Sequence, residues 1–176
     1  MTHVTILATS LKTDSNSQKL AKRFHHLLVE KDISAELLDF RTLEMTFAGS
    51  PDSWDQPVIL SIKEAVERAS HIVFATPIYC YDVNAVAKTI IELTGRSFTE
   101  KVVGFICSAG GQGSYMSVMG MANHLMLDFR TVIVPRFVYS TYDDWDEAGN
   151  LNAELQERLS WLVEDLASIQ VSPRGS

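Results

Sequence analysis

The chain alternates two kinds of segment. Five short apolar runs rich in β-branched residues stand out: His3 to Ala8, Ala35 to Phe40, His71 to Ala75, Val102 to Cys107 and Thr131 to Pro135. Their length and continuous hydrophobicity are those of strands buried on both faces. Between them run longer stretches with apolar residues at helical spacing. Leu20, Phe24, Leu27 and Leu28 mark one stripe over residues 17–31, and Ile59, Ile62, Ala65 and Val66 a second over 58–69. Asn84 to Thr94, Tyr115 to Phe129 and Asn152 to Ile169 complete the set. Repeated strand–helix alternation predicts a parallel sheet with helices on both faces and right-handed crossovers. Residues 41–57 and 139–150 lack periodicity and read as long loops, a kind that is often functional or interfacial.

One stretch breaks the amphipathic pattern. Over Tyr115 to Phe129 the stripe Tyr115, Val118, Ala122, Leu125 and Phe129 is flanked by Met116, Met119, Met126 and Leu127, so the helix is apolar on more than one face. A helix of this kind is buried on several sides, whereas a sheet covers only one. The expectation is an oligomer, a homodimer or homotetramer, with this helix in the interface.

Composition narrows the class. At 176 residues, 46% hydrophobic and 21% charged, the chain fits one globular domain, placed at residues 1–170, that needs no metal or disulfide staple. Residues 171–176, ending Pro-Arg-Gly-Ser, read as a flexible tail or a cloning scar. The net charge of −7, with 15 basic residues scattered among 22 acidic ones, argues against a nucleic-acid partner. No apolar run approaches the roughly 20 residues of a membrane span, and Met1 to Ser10 lacks a signal-peptide layout. A cytoplasmic protein without a membrane partner is expected. Cys80 and Cys107 form no C-x-x-C pair, so no metal site and no redox dithiol is expected.

In an open parallel sheet, ligands sit beyond the carboxyl ends of the strands, where the strand order reverses. After the first run comes Thr-Ser-Leu-Lys-Thr-Asp-Ser-Asn-Ser (residues 9–17), crowded with hydroxyls just before a helix. A helix start offers unpaired N–H groups and partial positive charge. Ser10, Ser15 and Ser17 add hydroxyl donors, and Lys12 adds a full charge suited to a phosphate dianion. The same residues also read as a polar loop with a helix cap. After the third run, Thr76-Pro-Ile-Tyr-Cys-Tyr-Asp (76–82) offers a rigid, aromatic surface for a flat heteroaromatic ring, or an ordinary aromatic turn. After the fourth, Ser108-Ala-Gly-Gly-Gln-Gly-Ser (108–114) lets the backbone approach a ligand closely. Three such loops at the three relevant strand ends form a stronger signal than any one of them.

Together these segments resemble the NAD(P)H-dependent FMN reductases. Residues 9–21 are similar to that family's phosphate loop, 76–93 to its second flavin loop and following helix, 107–113 to its third, and 146–151 to the stretch before its last helix. The resemblance runs in order over residues 3–168. It implies an α/β fold: a flavodoxin-like three-layer sandwich, with a five-stranded parallel sheet of order 2-1-3-4-5 and helices on both faces. It implies FMN as cofactor and NADPH or NADH as co-substrate. Position by position, Ser10, Lys12, Ser15, Asn16 and Ser17 would hold the phosphate. Pro77, Ile78, Tyr79 and Cys80 would line the ring, and Ser108, Gly110 and Gly111 would border its pyrimidine and ribityl side. The chain departs from the family pattern at Thr9 (usually Gly), Lys12 (commonly Arg), Cys80 (commonly Asn) and Asn84-Ala85 (commonly Pro-Gly). The implied activity is hydride transfer from nicotinamide to bound FMN and on to a flavin, quinone, azo compound or similar small-molecule acceptor, with no catalytic side chain required. The alternatives are a flavodoxin-type electron carrier without nicotinamide activity, and an interaction domain with a decayed flavin site.

Overall fold

The computed structural model describes residues 2–171. In chain order the elements are β1 (His3–Ala8), α1 (Asn16–Glu30), β2 (Ser34–Asp39), α2 (Pro57–Arg68), β3 (His71–Tyr79), β4 (Asp82–Val83), α3 (Ala85–Thr94), β5 (Val102–Ser108), α4 (Met119–Phe129), β6 (Val132–Ile133), β7 (Val138–Ser140) and α5 (Ala153–Ser168). Helix starts follow from local chemistry. The side chains of Ser15, Asn84 and Asn152 accept from the backbone N–H groups of Gln18, Ala87 and Leu155. Pro57, which has no N–H to leave unpaired, opens α2.

Alternation along β3 shows how the core is divided. Ile72 and Phe74 point to one face, and Val73 and Ala75 to the other. On the first face α2, α3 and α4 pack Ile62, Ile90 and Leu125 over the sheet, and the Phe74 ring stacks on Phe98 and Phe105 at 5.7 and 6.0 Å. On the second, α1 and α5 bring Phe24, Leu159 and Leu162 against Val4, Ile6 and Ile106. The result is the flavodoxin-like three-layer α/β sandwich.

The sheet itself differs from the expected five strands. It has seven, ordered β2-β1-β3-β5-β6, with β4 paired to β3 and β7 paired to β5. β4 arises because β3 runs on to Tyr79 and folds back, setting Ile78 opposite Val83 and Tyr79 opposite Asp82 in an antiparallel pair. Of the expected last strand, 131–135, only Val132–Ile133 pairs, as β6, and β7 forms beyond it. β6 lies along Val102 and Val103, and β7 along Ile106 to Ser108. Pro135 has no N–H to give the ladder, and pairing lapses until Val138. The helix expected from Tyr115 is also shorter. A 3₁₀ segment spans Gln112–Val118, with Ser114 outside helical geometry, and α4 proper starts at Met119. The winding still reverses between β1 and β3. Of the tail expected over 171–176, Val171 is half-buried against the α1–α5 core, and residues 172–176 lie outside the described residues. Among the described residues no helix is long and apolar enough to cross a membrane.

At the far end of the sheet, His71 is buried and ties β3 to the end of α5. Its Nε2 donates to the Ile169 carbonyl at 2.8 Å, and its Nδ1 accepts from the Ser70 hydroxyl at 2.7 Å. Burial pushes its pKa below the ordinary 6.5. The unfolded chain therefore binds the proton more readily. The stability supplied by neutral His71 is present above the unfolded value and is lost as pH falls through it. The difference in unfolding free energy between wild type and His71→Gln, followed by urea denaturation, is expected to shrink from about pH 7 to about pH 5. A pH-independent difference would show that imidazole ionisation has no part in it.

Candidate cofactor site

β1, β3 and β5 are neighbours that run the same way, β3 passing the end of β1 at Ala75 and running on to Tyr79, and the loops that follow them converge. After β1 the chain turns through residues 9–15 into α1. Ser10, Ser15 and Ser17 are buried there, with Ser15 Oγ and Ser17 Oγ 2.9 Å apart and Ser10 Oγ accepting from Lys12 N at 3.3 Å. Lys12 is exposed. Asp14, the acid in the loop, is engaged elsewhere: Lys19 Nζ lies 2.8 Å from its carboxylate and holds the Asp14 pKa below its ordinary value. Hydroxyls and helix-start amides thus face the loop interior with Lys12 at its rim, a donor set suited to an anion.

A brace that sequence reading missed fixes this loop. Gln18, buried at the first turn of α1, donates from Nε2 to the carbonyls of Ala8 at 3.0 Å and Ser10 at 3.3 Å, and to Asp39 Oδ1 at 3.0 Å. Arg41 grips Asp39 through Nε at 2.9 Å and donates from Nη1 to Thr13 O at 3.0 Å. The guanidinium holds the Asp39 carboxyl below its ordinary pKa. Both ends of the loop are therefore tied to the end of β2. Nothing local in the sequence announces partners this far apart along the chain.

After β3 the chain reverses in a two-residue turn. Cys80 and Tyr81 both have positive φ, 52° and 63°, the backbone of a type I′ turn that usually takes Asn and Gly. Tyr81 is 73% exposed, and its hydroxyl reaches over to the glycine loop, within 3.4 Å of where a Cβ on Gly113 would sit. After β5 the glycine loop is propped from below. Tyr139 Oη donates to Gly111 O at 2.6 Å and lies 2.7 Å from Ser114 Oγ, while Ala109 N donates to Ser140 O at 2.8 Å. Tyr139 fell at the start of a stretch read as loop, so its role was not visible. A Cβ at Gly111 would meet nothing within 4 Å, which leaves open space against the backbone.

The expected residues come together. A cavity of about 290 Å³ is lined by Ser10, Lys12, Ser15, Asn16, Ser17, Pro77, Ile78, Tyr79, Ser108 and Gly110, with Asp14, Ala109 and Tyr142. The remaining two, Cys80 and Gly111, line an adjoining cavity of about 300 Å³ that shares Ile78 and Gly110. A larger recess of about 1360 Å³ lies away from the strand ends, among α2, α3 and α4. It is lined by Trp54, Leu60 and Leu127 and by charges of both signs, among them Lys63, Lys88, Glu92 and Asp128. The residues at the strand ends fit a phosphorylated flat ring: hydroxyls and a lysine at one end, open glycine backbone and a rigid Pro–Ile–Tyr edge at the other. Of the two thiols, Cys80 is exposed beside this cavity. Cys107 is buried in β5, with its pKa pushed up to about 12 by desolvation.

The sequence profile of the NADPH-dependent FMN reductase family matches residues 2–145. No curated protein sequence is similar enough to match the chain. Among solved structures, the apo form of the NADH:FMN oxidoreductase EMOB superposes with a TM-score of 0.79 at 14% identity, covering 98% of this chain and 92% of that one. The flavoenzyme NAD(P)H:(acceptor) oxidoreductase FerB from Paracoccus denitrificans gives 0.75 at 21% identity, covering 97% and 100%. An azoreductase from Bacillus anthracis str. Sterne gives 0.64 at 15%, covering 95% and 98%. At these identities the structural likeness speaks for the fold.

The two left-handed residues of the β3–β4 turn are strained, because a Cβ crowds the backbone at positive φ. Tyr81→Gly is expected to raise the unfolding free energy by about 1 kcal/mol, measured by urea denaturation. A loss of stability would show that the phenol's contacts outweigh the backbone strain.

Proposed function

This chain belongs to the NADPH-dependent FMN reductase family, and from that premise we propose that the cavity at the ends of β1, β3 and β5 holds FMN and that the acceptor is a flavin, quinone, azo compound or similar small molecule. The observation that carries this reading is the pairing of a buried hydroxyl cluster at a helix start with open glycine backbone across the same cavity. Bound FMN supplies two-electron transfer between a nicotinamide donor, NADPH or NADH, and the acceptor. Ser10, Ser15 and Ser17 donate to the phosphate, Asn16 contributes its helix-start amide, and Lys12 adds a screening charge. Pro77, Ile78, Tyr79 and Cys80 set the plane of the ring. The glycine backbone at Gly110 and Gly111 would lie toward the side of the ring where negative charge develops on reduction, and Ser108 would border its ribityl chain. No side chain need act as acid or base. This reading takes residues 1–170 as one functional domain, in the cytoplasm, where reduced nicotinamide nucleotides are available.

The deciding experiment is a visible spectrum of the purified protein with FMN, before and after NADPH under argon. Bound yellow flavin that bleaches with NADPH is expected. A bound flavin that stays oxidised would assign the chain to the flavodoxin-type carriers, and no binding at all would remove the reading. In the same titration Lys12→Glu is expected to weaken FMN binding about tenfold, by placing a like charge beside the phosphate.

The outer face of α4 and the segment before it carry Met116, Met119, Met126 and Leu127, exposed by 59, 44, 40 and 76% in the single chain, beside exposed Trp54 and Leu60. We propose that a second copy covers this face, as a homodimer or the unit of a homotetramer. Light scattering is expected to give a multiple of the 19.6 kDa chain mass, reduced by Leu127→Asp. A monomer at micromolar concentration would overturn it.

A further inference from the structure

Two of the departures from the family pattern, Thr9 and Asn84, touch each other. Thr9 is fully buried and Asn84 nearly so. The Thr9 hydroxyl donates to Asn84 Oδ1 at 2.8 Å, and Asn84 Nδ2 donates back to the Thr9 carbonyl at 2.8 Å. The same Oδ1 lies 3.1 Å from the Thr76 hydroxyl and 3.3 Å from the Ala87 N–H at the start of α3. The Asn84 backbone N–H donates to the Pro77 carbonyl at 3.2 Å. One side chain thus binds the residue just before Ser10, the residue just before Pro77, and the helix that follows the β3–β4 turn. Where the family pattern has Gly and Pro, neither of these side-chain bonds is possible.

We propose that Thr9 and Asn84 are positioning residues, a buried clamp that sets the distance between the loop holding the phosphate and the loop lining the ring. The inference rests on the FMN reading of the cavity. Neither residue lines the cavity, so neither touches the cofactor. A ligand with a charged group at one end and a flat ring at the other gains affinity from both ends only when their spacing matches its own, and a rigid clamp supplies that match in advance. A ligand that uses one end alone is indifferent to the spacing. The clamp therefore acts on the advantage of FMN over riboflavin, which has the ring without the phosphate.

The test is the ratio of FMN to riboflavin affinity, read from quenching of flavin fluorescence, in Thr9→Val, Asn84→Ser and the double variant. Valine keeps the shape of threonine, and serine keeps the helix cap. Wild type is expected to bind FMN more tightly than riboflavin. Each single variant is expected to lower that ratio about tenfold with riboflavin affinity unchanged, the double variant no further than either single, and Thr9→Ser to restore it. Either single variant suffices if the other fails to fold by circular dichroism. Parallel weakening of both ligands, or no change in either, overturns the clamp and leaves the FMN reading standing. A wild type that does not prefer FMN to riboflavin overturns the FMN reading itself.

Discussion

The parallel strands β1, β3 and β5 are hydrogen-bonded side by side and run the same way, so their carboxyl ends open on one edge of the sheet, and their last backbone groups must find partners beyond the ladder. In this chain β1, β3 and β5 meet that constraint at one place. Thr9 N continues the ladder to Ala75 O, Ala109 N continues to Ser140 O, and past those points the chain leaves the sheet in three directions. Right-handed crossovers bring α1, and the segment leading to α4, back with their amino ends toward the same gap. The convergence of hydroxyls, glycine backbone and helix starts follows from how a parallel sheet stops, and it places the binding chemistry where the strand order reverses.

The loops that meet there are held by side chains that never face the cavity. Gln18, Asp39 and Arg41 secure the loop after β1, Tyr139 secures the glycine loop, and Asn84 stands between the other two. This division of labour leaves small residues with few conformations to lose at two parts of the cavity: Ser10, Ser15 and Ser17 after β1, and Ser108, Ala109 and Gly110 at the end of β5. Binding then requires little reordering of the chain. The exposed Cys80–Tyr81 turn is the exception, since bulk there is carried on strained backbone rather than on a braced one.

Legibility in the sequence tracked burial and locality. β1 was read to its ends because five of its six residues are buried and only Thr5 breaks the apolar run between Val4 and Ala8. The last strand was read only as far as Pro135, because Pro135 and the charged Arg136 end the apolar run, whereas the ladder resumes at Val138. The start of α4 was misread for a related reason: apolar spacing continues through a 3₁₀ segment that does not share its geometry. Among site residues, hydroxyls and glycines were visible as clusters within a few positions. Gln18, Tyr139 and the Thr9–Asn84 pair were not, because each owes its role to a partner that only the fold brings near.

Thr9 and Asn84 are also unequal in what they leave behind if separated. Asn84 without Thr9 would keep the Thr76 hydroxyl and the Ala87 amide as partners. Thr9 without Asn84 would have only the Ala75 carbonyl at 3.5 Å for a fully buried hydroxyl, and a buried polar group so poorly paired is destabilising.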